Sequence, residues 1–161
     1  MSTDTLVKRS VAHGMFTVQR TYPGVTPRRV FDAFASIEAK NNWFTAPNEA
    51  WDVVEREMDF RPGGRERLVG RWKSGMITDF DATYFDIVAG ERIIYAYEMR
   101  IDGRKISTSL ATLEFKPAPG GGAAFTMTEQ GAFLDGYDDN GSRERGTNEI
   151  VDKLSAALAK G

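Results

Sequence analysis

The hydrophobic positions of this chain change period three times, and the changes divide it into elements. "MFTVQRTY", residues 15–22, alternates, with Phe16, Val18 and Arg20 on one side and a β-branched and aromatic content that suits a strand. "TPRRVFDAFA" then switches to helical spacing. Val30, Phe31 and Phe34 form one face, Thr26 is placed to cap the helix and Pro27 occupies its first position. From Ser36, "SIEAKNNWF" predicts a further turn or two of helix that ends near Asn41 and Asn42 and delivers Trp43 and Phe44 at its exit. Between about Glu49 and Glu129 the period returns to two, interrupted by "RPGG" at 61–64, "VAGE" at 88–91, "IDGR" at 101–104 and "KPAPGGG" at 116–122. Such short connections cannot carry the crossover that parallel pairing needs, so an antiparallel meander is predicted. The polar stretch "LDGYDDNGS", residues 134–142, reads as a loop. After it, Ile150, Leu154 and Leu158 recur every four residues beside Val151 and Ala157, as on one face of a long C-terminal helix.

Composition narrows the class. A chain of 161 residues, 41% hydrophobic and 27% charged, is the size and make-up of one globular domain, here expected over residues 14–161 behind a flexible segment at 1–13. The formal net charge of −2 offers no general attraction to nucleic acid or to anionic lipid. With no cysteine, thiolate metal ligands, thiol nucleophiles and disulfides are excluded, in keeping with a cytoplasmic location. The opening residues lack the apolar core of a signal peptide, and no stretch approaches the ~20 apolar residues of a membrane span. The single histidine, His13, cannot by itself support a histidine-ligated metal or a serine–histidine pair, and reads as a surface residue. No cofactor and no metal are expected.

The glycine-rich turns invite a phosphate-loop reading, which the pattern rejects. A phosphate loop runs from a strand into a helix, whereas Gly63-Gly64 is followed by "RERLVGRW", which alternates as a strand. In that strand Arg65, Arg67, Val69 and Arg71 share one face, and Glu66, Leu68, Gly70 and Trp72 the other. The arginine stripe reads as a solvated face.

Candidate site residues come from apolar strand faces that carry an unexpected polar group. Ile93, Tyr95, Tyr97 and Met99 share a face and set two hydroxyls into an apolar surface. Phe125, Met127 and Glu129 share another, which directs Glu129 inward if the apolar side is the buried one. A buried carboxylate there could take a proton or hydrogen-bond a ligand, and a structural pair with an arginine explains it equally. Trp43, Trp72, Phe133 and Ile150 are candidates to line a cavity and are equally explained as packing. The face to which Tyr84 belongs is left open by "DFDATYFDIV".

The order of elements, carried through "VFDAF", "WF", "DFRPGGRERL", "YFDIVAGERIIYAY" and "TEQGAFLDG", resembles the SRPBCC or START-like superfamily over roughly residues 14–160. Within it the chain is similar to the branch named after the C-terminal domain of the activator of heat-shock protein 90 ATPase. The resemblance implies an α+β helix-grip fold: a curved antiparallel sheet of six to seven strands wraps a long C-terminal helix, with two short helices after the first strand closing a cavity between sheet and helix. It implies that "RPGG" joins two strands and that Leu68 and Trp72 point inward. The family commonly has Gly-Trp in the last helix where this chain has Gly146-Thr147, which removes an aromatic. Gly146 either lies inside that helix, tolerated for close approach by the sheet or a ligand, or belongs to the helix entry.

Three functions follow from the resemblance. The first is binding of a small, largely hydrophobic molecule in the cavity. The second is a cyclase- or hydrolase-like enzyme using Glu129 or the tyrosines for proton transfer, although no paired nucleophile and base marks it. The third is contact with a chaperone through Arg65, Arg67 and Arg71, ranked last because the eukaryotic activators carry an additional N-terminal domain for which this chain has no room. A homodimer is left open by the sequence, and neither nucleic acid nor membrane is expected as a partner.

Overall fold

The computed structural model of the chain describes residues 8–45 and 49–161. Seven strands form one sheet: β1 (Val11–Tyr22), β2 (Trp51–Met58), β3 (Arg65–Trp72), β4 (Ile77–Val88), β5 (Arg92–Ile101), β6 (Arg104–Pro117) and β7 (Ala123–Leu134). Helices α1 (Pro27–Asp32) and α2 (Ile37–Lys40) lie between β1 and β2, and α3 (Asn140–Ala159) ends the chain. The sheet order is β1-β7-β6-β5-β4-β3-β2, and every neighbouring pair is antiparallel. Six strands therefore form a meander and the first closes its far side against β7.

Local chemistry accounts for the boundaries. The Thr26 side chain accepts a hydrogen bond from the Arg29 N–H and Pro27 opens α1, while Ser36 caps α2 through the Ala39 N–H. At "IDGR" both central residues, Asp102 and Gly103, have positive φ (51° and 80°), as a two-residue type I′ hairpin demands of a right-twisted strand pair. "RPGG" connects β2 to β3, and Lys73–Met76, with Gly75 at a φ of 93°, makes a further turn between β3 and β4.

Three expectations are corrected. β1 begins at Val11, so Val11–His13 belong to the strand, with His13 exposed; residues 1–7 of the expected N-terminal segment lie outside the described residues. α3 begins at Asn140, inside the stretch read as a loop, because the Asp139 carboxylate caps it through the Ser142 N–H. Gly146 thus lies inside the helix, yet nothing from the sheet comes within 4 Å of where its Cβ would stand.

α3 buries Thr147, Val151, Leu154 and Leu158, with Ile150 and Ala157 half-buried beside them. This stripe meets Phe16 and Val18 of β1 and Met127 and Phe125 of β7, in a core completed by Phe31 and Phe34 from α1 and the α1–α2 turn. Phe31, Phe34, Phe115 and Phe125 pack with ring centroids 5.5–5.6 Å apart, close to the separations that aromatic pairs prefer. A second apolar cluster, Trp51, Leu68, Phe80, Ala82 and Tyr97, occupies the inner face of β2–β5.

Gly70 is needed by the second cluster. A Cβ at this position would stand 1.7 Å from the Trp51 Nε1, because the indole lies directly on the β3 backbone. Gly70→Ala is expected to displace Trp51 and to cost about 1–3 kcal/mol, the usual range for overpacking a core. Urea unfolding followed by tryptophan fluorescence measures both effects, and an unchanged midpoint with an unchanged native spectrum would contradict this packing.

Outside, the arginine stripe is solvated and paired: Arg65 bonds Asp81 at 2.6 Å, and Arg67 bridges Glu55 at 2.6 Å and Asp79 at 2.9 Å. Among the described residues no helix is long and apolar enough to cross a membrane.

Candidate functional site

The two apolar clusters do not meet fully, and between them lies a cavity of about 390 Å³. Its floor is the inner sheet face, where Leu68, Trp72, Phe80, Tyr95, Tyr97 and Met127 supply apolar surface. Phe34, Lys40, Trp43 and Phe44 wall it from the helical connection, and Arg143, Gly146, Thr147, Ile150 and Val151 cover it from α3. The exposed residues Ser142, Glu149 and Lys153 place its rim along α3.

The structure brings together most of the residues singled out from sequence. Trp43, Trp72, Tyr95, Tyr97, Met127, Glu129, Gly146 and Ile150 all line the cavity. Phe133 does not. Its buried ring instead lies 5.4 Å from the Arg143 guanidinium carbon, and so supports that side chain from below. Tyr84, unassigned from sequence, is buried on the inner face.

Two ionic groups are set into this apolar surface. In the first, the Tyr97 hydroxyl accepts a hydrogen bond from Arg143 Nη1 and donates one to Glu129 Oε1, each 2.9 Å long. The register explains how β5 reaches β7. Tyr97 pairs with Ser109, Ser109 with Gly131, and Tyr95 with Ala111, which pairs with Glu129. Ser109 and Ala111, the small side chains that lie between on β6, leave room for the phenol to lean across. Arg143 is held from its other side by Ser107 Oγ at 2.7 Å and Asp138 at 3.1 Å. Glu129 is 2% exposed, and its second oxygen, Oε2, has no hydrogen-bond partner. Burial pushes its pKa up from the ordinary 4.5 to about 7, against the opposing effects of the Tyr97 hydrogen bond and the Arg143 charge.

The second group lies against the helical wall. Lys40 Nζ donates to both oxygens of Glu66, at 2.9 and 2.8 Å, and sits 4.3 Å from the centre of the Phe44 ring. The Tyr84 hydroxyl donates a short hydrogen bond to Glu66 Oε1, and Arg56 Nη2 lies 2.9 Å from Oε2. Burial alone would raise the Glu66 pKa; Lys40, Tyr84 and Arg56 together overcome it and hold the carboxyl below its ordinary value. Burial draws Lys40 below the usual lysine value, opposed by the charge of Glu66.

Sequence reasoning missed Lys40, Trp51, Glu66 and Arg143. Two of them were signalled. Glu66 shares the inward face of Leu68, Gly70 and Trp72, and Arg143 lies seven residues, two helical turns, before Ile150 on its face of α3. The burial of Lys40 has no counterpart in the sequence pattern, because only tertiary packing places Glu66 within its reach. Among the described residues no cluster of histidine, aspartate and glutamate is arranged to hold a metal ion.

A long C-terminal helix held in a seven-stranded antiparallel sheet, with short helices after the first strand, defines the helix-grip class of the SRPBCC or START-like superfamily, a fold that commonly binds ligands. The chain belongs to the family of Activator of Hsp90 ATPase homolog 1-like proteins, whose sequence pattern matches residues 24–159. It is similar to the solved structure of an uncharacterised protein from Rhizobium leguminosarum, with 42% identity and a TM-score of 0.87 over 96% of this chain and 99% of that one. A protein from Rhizobium loti is 40% identical, with a TM-score of 0.83 over 92% of this chain and 99% of that one. The solution structure of an AHSA1-like protein from Aeromonas hydrophila, 18% identical, shares the fold with a TM-score of 0.64 over 91% of this chain and 93% of that one. No curated protein matches the chain.

Proposed function

We propose that this protein binds a small, largely apolar molecule in the cavity between the sheet and α3. The observation that carries the reading is the cavity itself: about 390 Å³, walled largely by tryptophan, phenylalanine, tyrosine and methionine, with Lys40, Glu129 and Arg143 set into the wall and exposed polar residues at the rim. A cavity of that size and composition suits a compact organic ligand, with the apolar wall supplying affinity and the few polar groups fixing orientation. The pairing of Gly146 with Thr147 supports the reading. Both line the cavity, and a Cβ built on Gly146 would meet nothing within 4 Å.

Native mass spectrometry of the gently purified protein, followed by solvent extraction, tests this directly. The expected result is a stoichiometric small molecule of apolar character. Adding that molecule back should raise the melting temperature, since a ligand that binds only the folded state at about a hundred times its Kd contributes about 2.7 kcal/mol. An apo mass together with no thermal stabilisation across a library of apolar compounds would reject the reading.

A further inference from the structure

The hydrogen-bond directions around Glu129 constrain what can meet it. Arginine only donates, so the Arg143 N–H must use the Tyr97 oxygen as acceptor, and the single Tyr97 proton is thereby committed to Glu129 Oε1. Oε1 is occupied, whereas Oε2 is buried and unpartnered on a side chain that lines the cavity. When Glu129 is ionised, Oε2 can only accept. When it is protonated, the proton belongs on Oε2, because Oε1 already receives that of Tyr97, and the same atom becomes a donor.

Resting on the reading of the cavity as an apolar binding site, we propose that Glu129 selects the polarity of the ligand: the molecule that occupies the cavity carries an uncharged hydroxyl or N–H that donates to Oε2, and molecules offering only an acceptor are refused while Glu129 is ionised. No protein group donates to Oε2, so a ligand that supplies a donor there adds a hydrogen bond that the protein itself does not make. Protonation relaxes the selection, because Oε2 then donates and can meet an acceptor as well as a hydroxyl. The charged and titratable groups that act on Glu129 are the Arg143 guanidinium from α3, itself bonded to Asp138 in the loop before α3, and the Tyr95 and Tyr97 hydroxyls from β5. Burial raises both tyrosines above their ordinary values, so Glu129 is the group of this set that changes charge near neutrality.

A matched pair of probes tests the proposal: para-benzylphenol, which has a hydroxyl donor, and para-benzylanisole, in which a methyl group caps the same oxygen. The phenol remains neutral over the range used, since a phenolic group ionises near pH 10. Isothermal titration at about pH 8 is expected to show the phenol binding about tenfold or more tightly than the anisole, the order of a hydrogen bond to a charged acceptor. At about pH 6 the advantage should shrink to about threefold or less, because protonated Glu129 can donate to the ether oxygen. In Glu129→Gln the Tyr97 proton still meets the side-chain oxygen and the amide NH₂ takes the place of Oε2, so the small advantage should hold at both pH values. Equal affinities for the two probes at about pH 8, or an undiminished phenol preference in the glutamine variant, would overturn the proposal and leave the apolar cavity reading standing. If neither probe binds the wild-type protein, the proposal fails, while the cavity reading stands or falls on the extraction and the compound library described above.

Discussion

Glu66→Gln is expected to lower the stability of the protein by about 3–5 kcal/mol, the usual consequence of removing one partner from a buried ionic group. The substitution leaves the shape of the side chain almost unchanged, so the effect is electrostatic. Among the described residues Glu66 is the one anion paired with buried Lys40 and half-buried Arg56, and its neutralisation leaves two cations close together without that partner. Lys40→Met should cost less, because Glu66 then keeps Arg56 and the Tyr84 hydroxyl. The order of the two losses is therefore the critical measurement, read from urea unfolding midpoints at neutral pH. A Lys40→Met loss equal to or greater than that of Glu66→Gln would contradict this account of the cluster. The pH dependence follows from the lowered pKa. The unfolded carboxyl takes up its proton at a higher pH than the folded one, so the contribution of Glu66 is present above its ordinary value of 4.5 and is lost as pH falls through the lower folded value. In Glu66→Gln that part of the acid transition should be missing. Because α2 is a four-residue helix fastened to the sheet by Lys40, the same substitution should loosen the wall of the cavity before the whole fold yields.

The fold was legible because its information is local or periodic. Thr26, Pro27 and Ser36 announce the helix starts by their own chemistry, Asp102-Gly103 dictates its hairpin, and the alternation of Ile93, Tyr95, Tyr97 and Met99 establishes which face of β5 is inward. The cavity residues follow from the same alternation. Less legible were features that depend on two distant segments at once. Whether Glu129 meets an arginine or an open cavity is decided by Arg143, fourteen residues later on α3, and the structure shows that it meets the arginine through Tyr97 and lines the cavity itself. Phe133 illustrates the converse. It was a candidate to line the cavity, equally explained as packing, and the placement of α3 sets Arg143 above its ring. The start of α3 was obscured because Gly141 and Gly146 lower helix propensity, while the decisive signal, an Asp139 cap, lies within a run of polar turn residues that also suits a loop.

Glu129→Gln is expected to make the protein more stable at about pH 8, by about 2–3 kcal/mol, because it removes a charge that the fold holds at a cost. A carboxyl whose pKa rises from 4.5 to about 7 on folding binds its proton more tightly in the folded state. Below 4.5 both states are protonated and the wild-type and glutamine proteins should be similar in stability. Between 4.5 and about 7 the unfolded chain releases the proton while the folded protein retains it, so wild-type stability declines as pH rises, and it levels off above 7. Glutamine has the shape of the protonated acid, keeps the hydrogen bond from Tyr97 and does not titrate, so its stability should lack this decline. The full linkage is about 3 kcal/mol, from which the amide NH₂ left facing the cavity subtracts part. Unfolding midpoints for the two proteins across this range provide the check: a glutamine variant no more stable than wild type at about pH 8 would mean that Tyr97 and Arg143 fully compensate the buried charge. The expected result has a functional meaning. A side chain that lines a cavity and lowers stability at neutral pH is explained by what it does there, since an isosteric neutral residue would serve the fold better. The stability lost through Glu129 and the ligand polarity it selects have one origin, a carboxylate held in the interior with an oxygen to which no protein group donates.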